Sequence, residues 1–201
     1  MRKQGIETVT ITAISPRGET RDFALTATSF GGEVVRFGNL PPLESHVTAR
    51  AITSEEFGAA GVHESPMPTN VGLIGFNIWL LPAAAELDAA IDRFRSADGI
   101  ILDLRGNPGG LGAMAMGIGG HFLNEPKSLG RMNNRDGFID FRVNPRRATA
   151  DGRIVKPFAG PLAILVDPLS ASTSEIFAAG LQDLGRAVVI GQTSAGAALP
   201  S

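Results

Sequence analysis

The sequence contains no cysteine, which excludes disulfides, thiolate nucleophiles and cysteine–zinc centres together. Histidine is scarce as well. His46, His63 and His121 stand far apart, so little is available to build a metal site, and none is expected. Neither sign of charge dominates: 18 Lys and Arg against 20 Asp and Glu leave a formal net charge of −2, interspersed along the chain. That balance argues against nucleic acid or an anionic membrane surface as the main partner. No apolar run reaches the ~18 residues a membrane span needs. Arg2 and Lys3 have no apolar segment behind them, so the N-terminus does not read as a signal peptide. Neither a P-loop nor a GxGxxG pattern occurs, and no cofactor is expected.

What is present is a globular composition, 43% apolar and 19% charged over 201 residues. A chain of this length can bury roughly two-thirds of its unfolded surface. Residues 1–30 read as a hairpin. Thr8-Val9-Thr10-Ile11-Thr12-Ala13-Ile14 alternates with period two, Pro16-Arg17-Gly18-Glu19 turns the chain, and Phe23-Ala24-Leu25-Thr26 returns. A lone hairpin buries no core, so it either packs on the rest or ends a small β domain. Residues 31–70, punctuated by Gly31-Gly32 and Leu40-Pro41-Pro42-Leu43, read as a linker with short extended pieces.

From Val71 the pattern becomes α/β. Residues 71–76, 99–104, 161–167 and 187–191 are buried-type strands, and helices are expected over 83–97, 111–123 and 174–184. Leu87, Ile91 and Phe94 share one face of the first helix. The polar stretch 124–156 reads as a long excursion or hairpin. Strand, turn and helix in repeated order imply βαβ units and a largely parallel sheet over 71–201.

Two strand-to-helix turns could carry chemistry. In Asp103-Leu104-Arg105-Gly106-Asn107-Pro108-Gly109-Gly110, paired glycines either serve a tight turn or let backbone N–H groups line an oxyanion seat. In Ser170-Ala171-Ser172-Thr173-Ser174-Glu175, capping accounts for one hydroxyl, Ser172 or Thr173, and leaves the others open to a nucleophilic role. Asp103 and Arg105 suit a charge-assisted pair that holds the first turn. Trp79 and Phe76 suit core packing or the wall of a groove. His121, flanked by Ile118 and Phe122, reads as a structural histidine, and Asp183 as a structural residue at a helix end.

These two blocks resemble the DLRxNPGG and SASxSEIxAGxLQDxxRA signatures of the carboxyl-terminal processing (tail-specific) serine peptidases, over about Val71 to the end. The resemblance implies an α/β core shared with crotonase and Clp proteases, built of ββα units. It also implies that the leading hairpin is the C-terminal remnant of a PDZ domain. Matched by position, Ser174 stands for the family nucleophile. The backbone N–H of Glu175, with one from Gly109 or Gly110, stands for the oxyanion hole. The implied reaction is attack by Ser174 on a peptide or ester carbonyl, an acyl-enzyme, and its hydrolysis by water. The relatives are mostly exported or periplasmic, and oligomerisation is left open.

The Ser–Lys branch of this family places its base lysine in a block like GxxTFGKG. Here the stretch is Gly191-Gln192-Thr193-Ser194-Ala195-Gly196-Ala197, with Ala197 at the lysine position. The TSAGAA wording is more similar to the tricorn-like and retinoid-binding-protein-like branch. That branch draws on a histidine upstream of the PDZ domain and a glutamate well after the serine, so a core truncated at both ends is expected. His46 and His63 are the candidate substitute bases. A non-catalytic module for apolar ligands, or an inactive fragment, is the other reading. The expected geometry sets the 106–110 turn beside the start of the Ser174 helix at one sheet edge. Burial of Ser174 in the core, or a separation of more than ~10 Å from the amides of Gly109 and Gly110, would overturn the catalytic reading.

Overall fold

The computed structural model describes residues 8–26, 28, 31–36, 38–39, 41–61 and 68–198. It divides into two units, 1–32 and 33–201. In the first, β1 (Thr8–Ile14) pairs antiparallel with β2 (Thr20–Thr26), with Ile11 opposite Phe23. The Ser15 hydroxyl closes the turn by accepting from the Arg17 and Glu19 amides, each at 3.2 Å. The second strand begins three residues earlier than the apolar pattern suggests. Backbone pairing carries the polar Thr20, Arg21 and Asp22, and Asp22 accepts from the Thr12 hydroxyl.

The second unit opens with a small antiparallel pair, β3 (Glu33–Val35) and β4 (Leu43–Ser45). It continues through β5 (Val47–Ile52) and the short helix α1 (Ser54–Ala59). The alternating strands and helices follow: β6 (Val71–Phe76), α2 (Leu81–Arg93), β7 (Gly99–Asp103) and α3 (Gly112–Gly119). A hairpin, β8 (Lys127–Asn134) and β9 (Gly137–Val143), precedes β10 (Leu162–Val166), α4 (Thr173–Asp183) and β11 (Val188–Gly191).

The central sheet has the order β11-β10-β7-β6-β5. The first four strands run parallel, as their continuous apolar sequences suggest, and β5 is antiparallel on the edge. This corrects the reading of 31–70 as a linker. Val47-Thr48-Ala49-Arg50-Ala51-Ile52 pairs along the whole of β6, and as an edge strand it is half-wet and needs no apolar run.

The core lies between the sheet and the helices. Ile74, Ile100, Leu102 and Ile164 from the strands meet Leu87 and Ile91 of α2 and Phe177 and Leu181 of α4, all essentially inaccessible. Each such side chain contributes about 1.5–3 kcal/mol by leaving water. The polar stretch 124–156 resolves into the β8–β9 hairpin. It buries Leu129, Phe141 and Val143 against the same core and leaves its charged side chains outside. No helix among the described residues is long and apolar enough to cross a membrane.

Candidate active site

Three strand ends meet at one edge of the sheet, and Asn107 joins them. It is fully buried. Its amide Nδ2 donates to Phe76 O at the end of β6 (2.9 Å), and its Oδ1 accepts from Gly109 N (3.0 Å). Its carbonyl accepts from Ala171 N (3.1 Å) and from the Ser174 hydroxyl (3.1 Å), beyond the end of β10. Asp103 and Arg105 form the expected two-pronged ion pair, at 2.8 and 2.6 Å. The turn then passes through Gly109 (φ +101°) and Gly110 (φ +139°), conformations that favour glycine. A Cβ at Gly109 would lie 2.6 Å from Ser172 Cβ, and one at Gly110 would lie 2.4 Å from Trp79 O. Both turns are therefore in van der Waals contact, as the sequence reading expects.

The second turn is built on Asp167 and Ser170. One oxygen of Asp167 accepts from the amides of Gly106 (2.9 Å), Leu169 (3.0 Å) and Ser170 (3.1 Å). The backbone hydrogen bond to Gly106 is the main cause that holds this carboxyl below its ordinary pKa. The Ser170 hydroxyl donates to Leu104 O at 2.8 Å, fastening β10 to β7. Next comes Ser172, with φ +53° and ψ −117°. Among the described residues it is the only non-glycine at positive φ. Such a conformation costs on the order of 1–3 kcal/mol and persists only where the surroundings impose it. Ser172 is half-buried and caps α4, and its N–H donates to Glu175 Oε2 at 2.8 Å.

Ser174 lies elsewhere than expected. It is completely inaccessible, and its hydroxyl accepts from Trp79 Nε1 (2.9 Å) while donating to Asn107 O (3.1 Å). The sequence reading of an exposed nucleophile at Ser174 is thereby corrected. The helix begins at Thr173, so Ser174 falls on the same face as Phe177, Ala178 and Leu181, the inward one. The Glu175 amide, expected as an oxyanion donor, is engaged, donating to Ser172 O at 2.9 Å. The Gly109 amide is taken by Asn107. Among the described residues, the amides of Gly110 and Thr173 donate to no protein acceptor. The Thr173 hydroxyl donates to Gly110 O at 2.8 Å, which holds these two peptides together.

Glu175 links this turn to the segment after β11. Its Oε1 accepts from the Ser194 hydroxyl (2.7 Å) and Gly196 N (2.8 Å), and Oε2 accepts from Ser172 N (2.8 Å) and Ala197 N (2.9 Å). Burial pushes its pKa up, but the four hydrogen bonds outweigh burial and hold it below the ordinary glutamate value. Ala197 and Ser172 thus share one carboxylate oxygen through their amides.

The histidines divide. His121 is fully buried, with Nε2 against Asp88 (2.8 Å) and Nδ1 against Arg95 (2.9 Å). Arginine only donates, so Nδ1 is the acceptor and the ring is structural. His46 stands at the β4–β5 junction, its N–H donating to Asn77 Oδ1 at 3.0 Å, two positions before Trp79. That puts His46 on the same sheet edge as the two turns, while no hydrogen bond links its ring to Ser172. His63 lies outside the described residues. Asp183 is exposed at the end of α4, and Trp79 is core rather than groove wall. Among the described residues no cluster of His, Asp and Glu suits a metal ion.

The model of peptidase family S41 matches residues 70–200. A carboxyl-terminal-processing protease of Synechocystis is 30% identical over 97% of this chain and 43% of its own length. The carboxy-terminal processing protease CtpA of Bacillus subtilis is 31% identical over 67% of this chain and 28% of its own. The chain thus spans less than half the length of these curated relatives. Among solved structures, the photosystem II D1 C-terminal processing protease superposes with a TM-score of 0.66. It covers 95% of this chain and 45% of that one at 21% identity, a likeness of fold. The two signature blocks are the two turns that meet at the sheet edge, and the chain belongs to peptidase family S41.

Proposed function

We propose that this chain carries the nucleophile and oxyanion donors of a serine hydrolase acting on peptides or simple carboxylic esters, with Ser172 as nucleophile. The observation that carries the reading is the backbone of Ser172. A hydroxyl residue held in a strained conformation on a strand-to-helix turn is the arrangement that projects a nucleophile at a sheet edge. The open amides of Gly110 and Thr173 supply the donors for a tetrahedral oxyanion. Attack by Ser172 Oγ forms the acyl-enzyme, and water then hydrolyses it. Beside the turn, an apolar cavity of about 250 Å³, lined by Leu129, Met132, Phe141, Ile176 and Ala179, suits a small apolar side chain of the substrate. On this reading the core is of the crotonase and Clp type and the leading hairpin is the remnant of a PDZ domain. A two-stranded hairpin without its own core fits such a remnant.

The general base is proposed to be absent from the lysine position, which Ala197 occupies, with His46 the candidate substitute. The test is labelling by a fluorophosphonate followed by peptide mapping. The adduct is expected on Ser172, and Ser172→Ala abolishes labelling. His46→Ala lowers the rate about as far as a lost base does, roughly 10²-fold or more, if His46 serves. An adduct on Ser174, or labelling that survives Ser172→Ala, overturns the assignment.

A further inference from the structure

Trp79 lies between β6 and α2, outside any regular element, and yet it is completely buried. Its backbone brackets Gly110: Trp79 N donates to Gly109 O (2.9 Å), and Leu111 N donates to Trp79 O (2.7 Å). The orientation of the Gly110 peptide therefore depends on where Trp79 sits. The indole is wedged edge-on against Phe76, with centroids 4.7 Å apart, and against Phe177 at 5.1 Å. Its polar anchor is the bond from Nε1 to Ser174 Oγ.

The hydrogen-bond directions along this path are determined by chemistry. An indole N–H can only donate, so Ser174 Oγ accepts there and must give its own proton to Asn107 O, which can only accept. Asn107 Oδ1 then accepts from Gly109 N, and Gly109 O accepts from Trp79 N. The path closes on itself: Trp79, Ser174, Asn107, Gly109 and Trp79 again. Every member is buried, where hydrogen bonds reinforce one another and an unmatched group is most costly.

We infer that Trp79 and Ser174 are a pair of positioning residues, a buried ring of hydrogen bonds that sets the oxyanion amides of Gly110 and Thr173. Ser174 reaches Thr173 directly, as its neighbour in α4, and reaches Gly110 through Trp79. The inference rests on the reading of Ser172 as nucleophile for its catalytic consequence, and on the hydrogen-bond ring alone for its structural one.

The experiment compares the wild type with Trp79→Phe, Ser174→Ala and the double variant. Trp79→Phe keeps an aromatic ring between Phe76 and Phe177 and removes the N–H together with part of the indole, and the Ser174→Ala variant breaks the same bond without that loss of volume. The double variant removes both partners, so neither the indole N–H nor the Ser174 hydroxyl is left unmatched. Native-state amide exchange is read at Trp79 and Leu111, whose protection is the bracket around Gly110. Exchange is expected to quicken about tenfold in each single variant, and no further in the double, because a break at either residue opens the same closed ring. Fluorophosphonate labelling and ester kcat should fall by a similar factor with KM unchanged. Unaltered exchange in both single variants, or additive effects in the double, overturns the ring. Quickened exchange with unaltered labelling overturns its role in setting the oxyanion amides. A wild type that never labels removes Ser172 as nucleophile, and the exchange data then decide the ring by themselves.

Discussion

Ser172 and Ser174 carry the same hydroxyl two positions apart in opposite surroundings. Ser174 is sealed and saturated with hydrogen bonds, whereas Ser172 is half-buried in a backbone that a side chain resists. Ser172→Gly should therefore raise stability, since glycine adopts φ +53° without strain. Relief of about 1 kcal/mol corresponds to a Tm increase of roughly 2–4 °C in a chain of this size. The same variant loses all fluorophosphonate labelling, and a lower Tm would argue that the turn is not strained. Gly109→Ala has the opposite sign. The added methyl lies 2.6 Å from Ser172 Cβ and 2.8 Å from Ala171 O, in a backbone at φ +101°. It should cost roughly 2–3 kcal/mol, read as a lower urea midpoint at an unchanged slope, together with lost labelling.

At the scale of elements, Glu175 fastens α4 to the segment after β11. Its carboxyl is held below the ordinary glutamate pKa in the folded protein. A group with a depressed folded pKa stabilises fully above its unfolded value, about 4.3, and loses that contribution as pH falls through the folded value. Glu175→Gln should thus be less stable than the wild type at neutral pH, by about 1 kcal/mol after solvent screening. The gap should close as the pH is taken below roughly 4. Urea titrations of both proteins over that range check this, and a gap that widens in acid rules it out. The Ser194 hydroxyl and the amides of Gly196 and Ala197, which the carboxylate holds, should exchange faster in the same variant.

For the whole molecule the question is how Ser172, as the proposed nucleophile, would work with Ala197 at the lysine position. A missing general base costs about 10²–10⁴-fold, and the oxyanion hole retains about 10³-fold over water. Amide hydrolysis needs a proton delivered to the leaving nitrogen, so it should suffer more than ester hydrolysis. Slow turnover of p-nitrophenyl acetate and butyrate, with little cleavage of casein or a quenched peptide, is the expected pattern. Efficient casein cleavage would contradict it. Ala197→Lys tests the same idea from the other side. The amides of Ala197 and Ser172 share Glu175 Oε2, at 2.9 and 2.8 Å, so a lysine side chain starts within reach of the Ser172 hydroxyl. Ester turnover should rise by about 10²-fold, and adding Ser172→Ala should abolish the gain.

Much of this was legible in the residues themselves. The apolar runs at 71–76, 99–104 and 161–167 read as strands because they are short, bounded by turn residues and suited to a doubly covered, parallel sheet. The two turns were visible because paired glycines and a run of hydroxyls after such strands have few other uses. The choice among the hydroxyls was partly legible too. Ser172 with Glu175 three residues on has the spacing of a helix start, and Ser174 repeats on the face of Phe177, Ala178 and Leu181. Neither signal reveals φ +53° at Ser172 or the indole that claims Ser174. The place of β5 was hidden as well, since an edge strand takes its pairing from a neighbour 19 to 29 residues away, with Ile52 opposite Val71 and Val47 opposite Phe76. Local chemistry by itself determined the alternating strands, helices and turns from Val71 on, but not β3, β4, β5 or α1 in the span before it. Which serine is sealed and which half-buried, which amides are left open and which histidine shares the sheet edge were decided only by the tertiary structure. Burial and hydrogen-bond partners come from segments that the chain brings together from far apart.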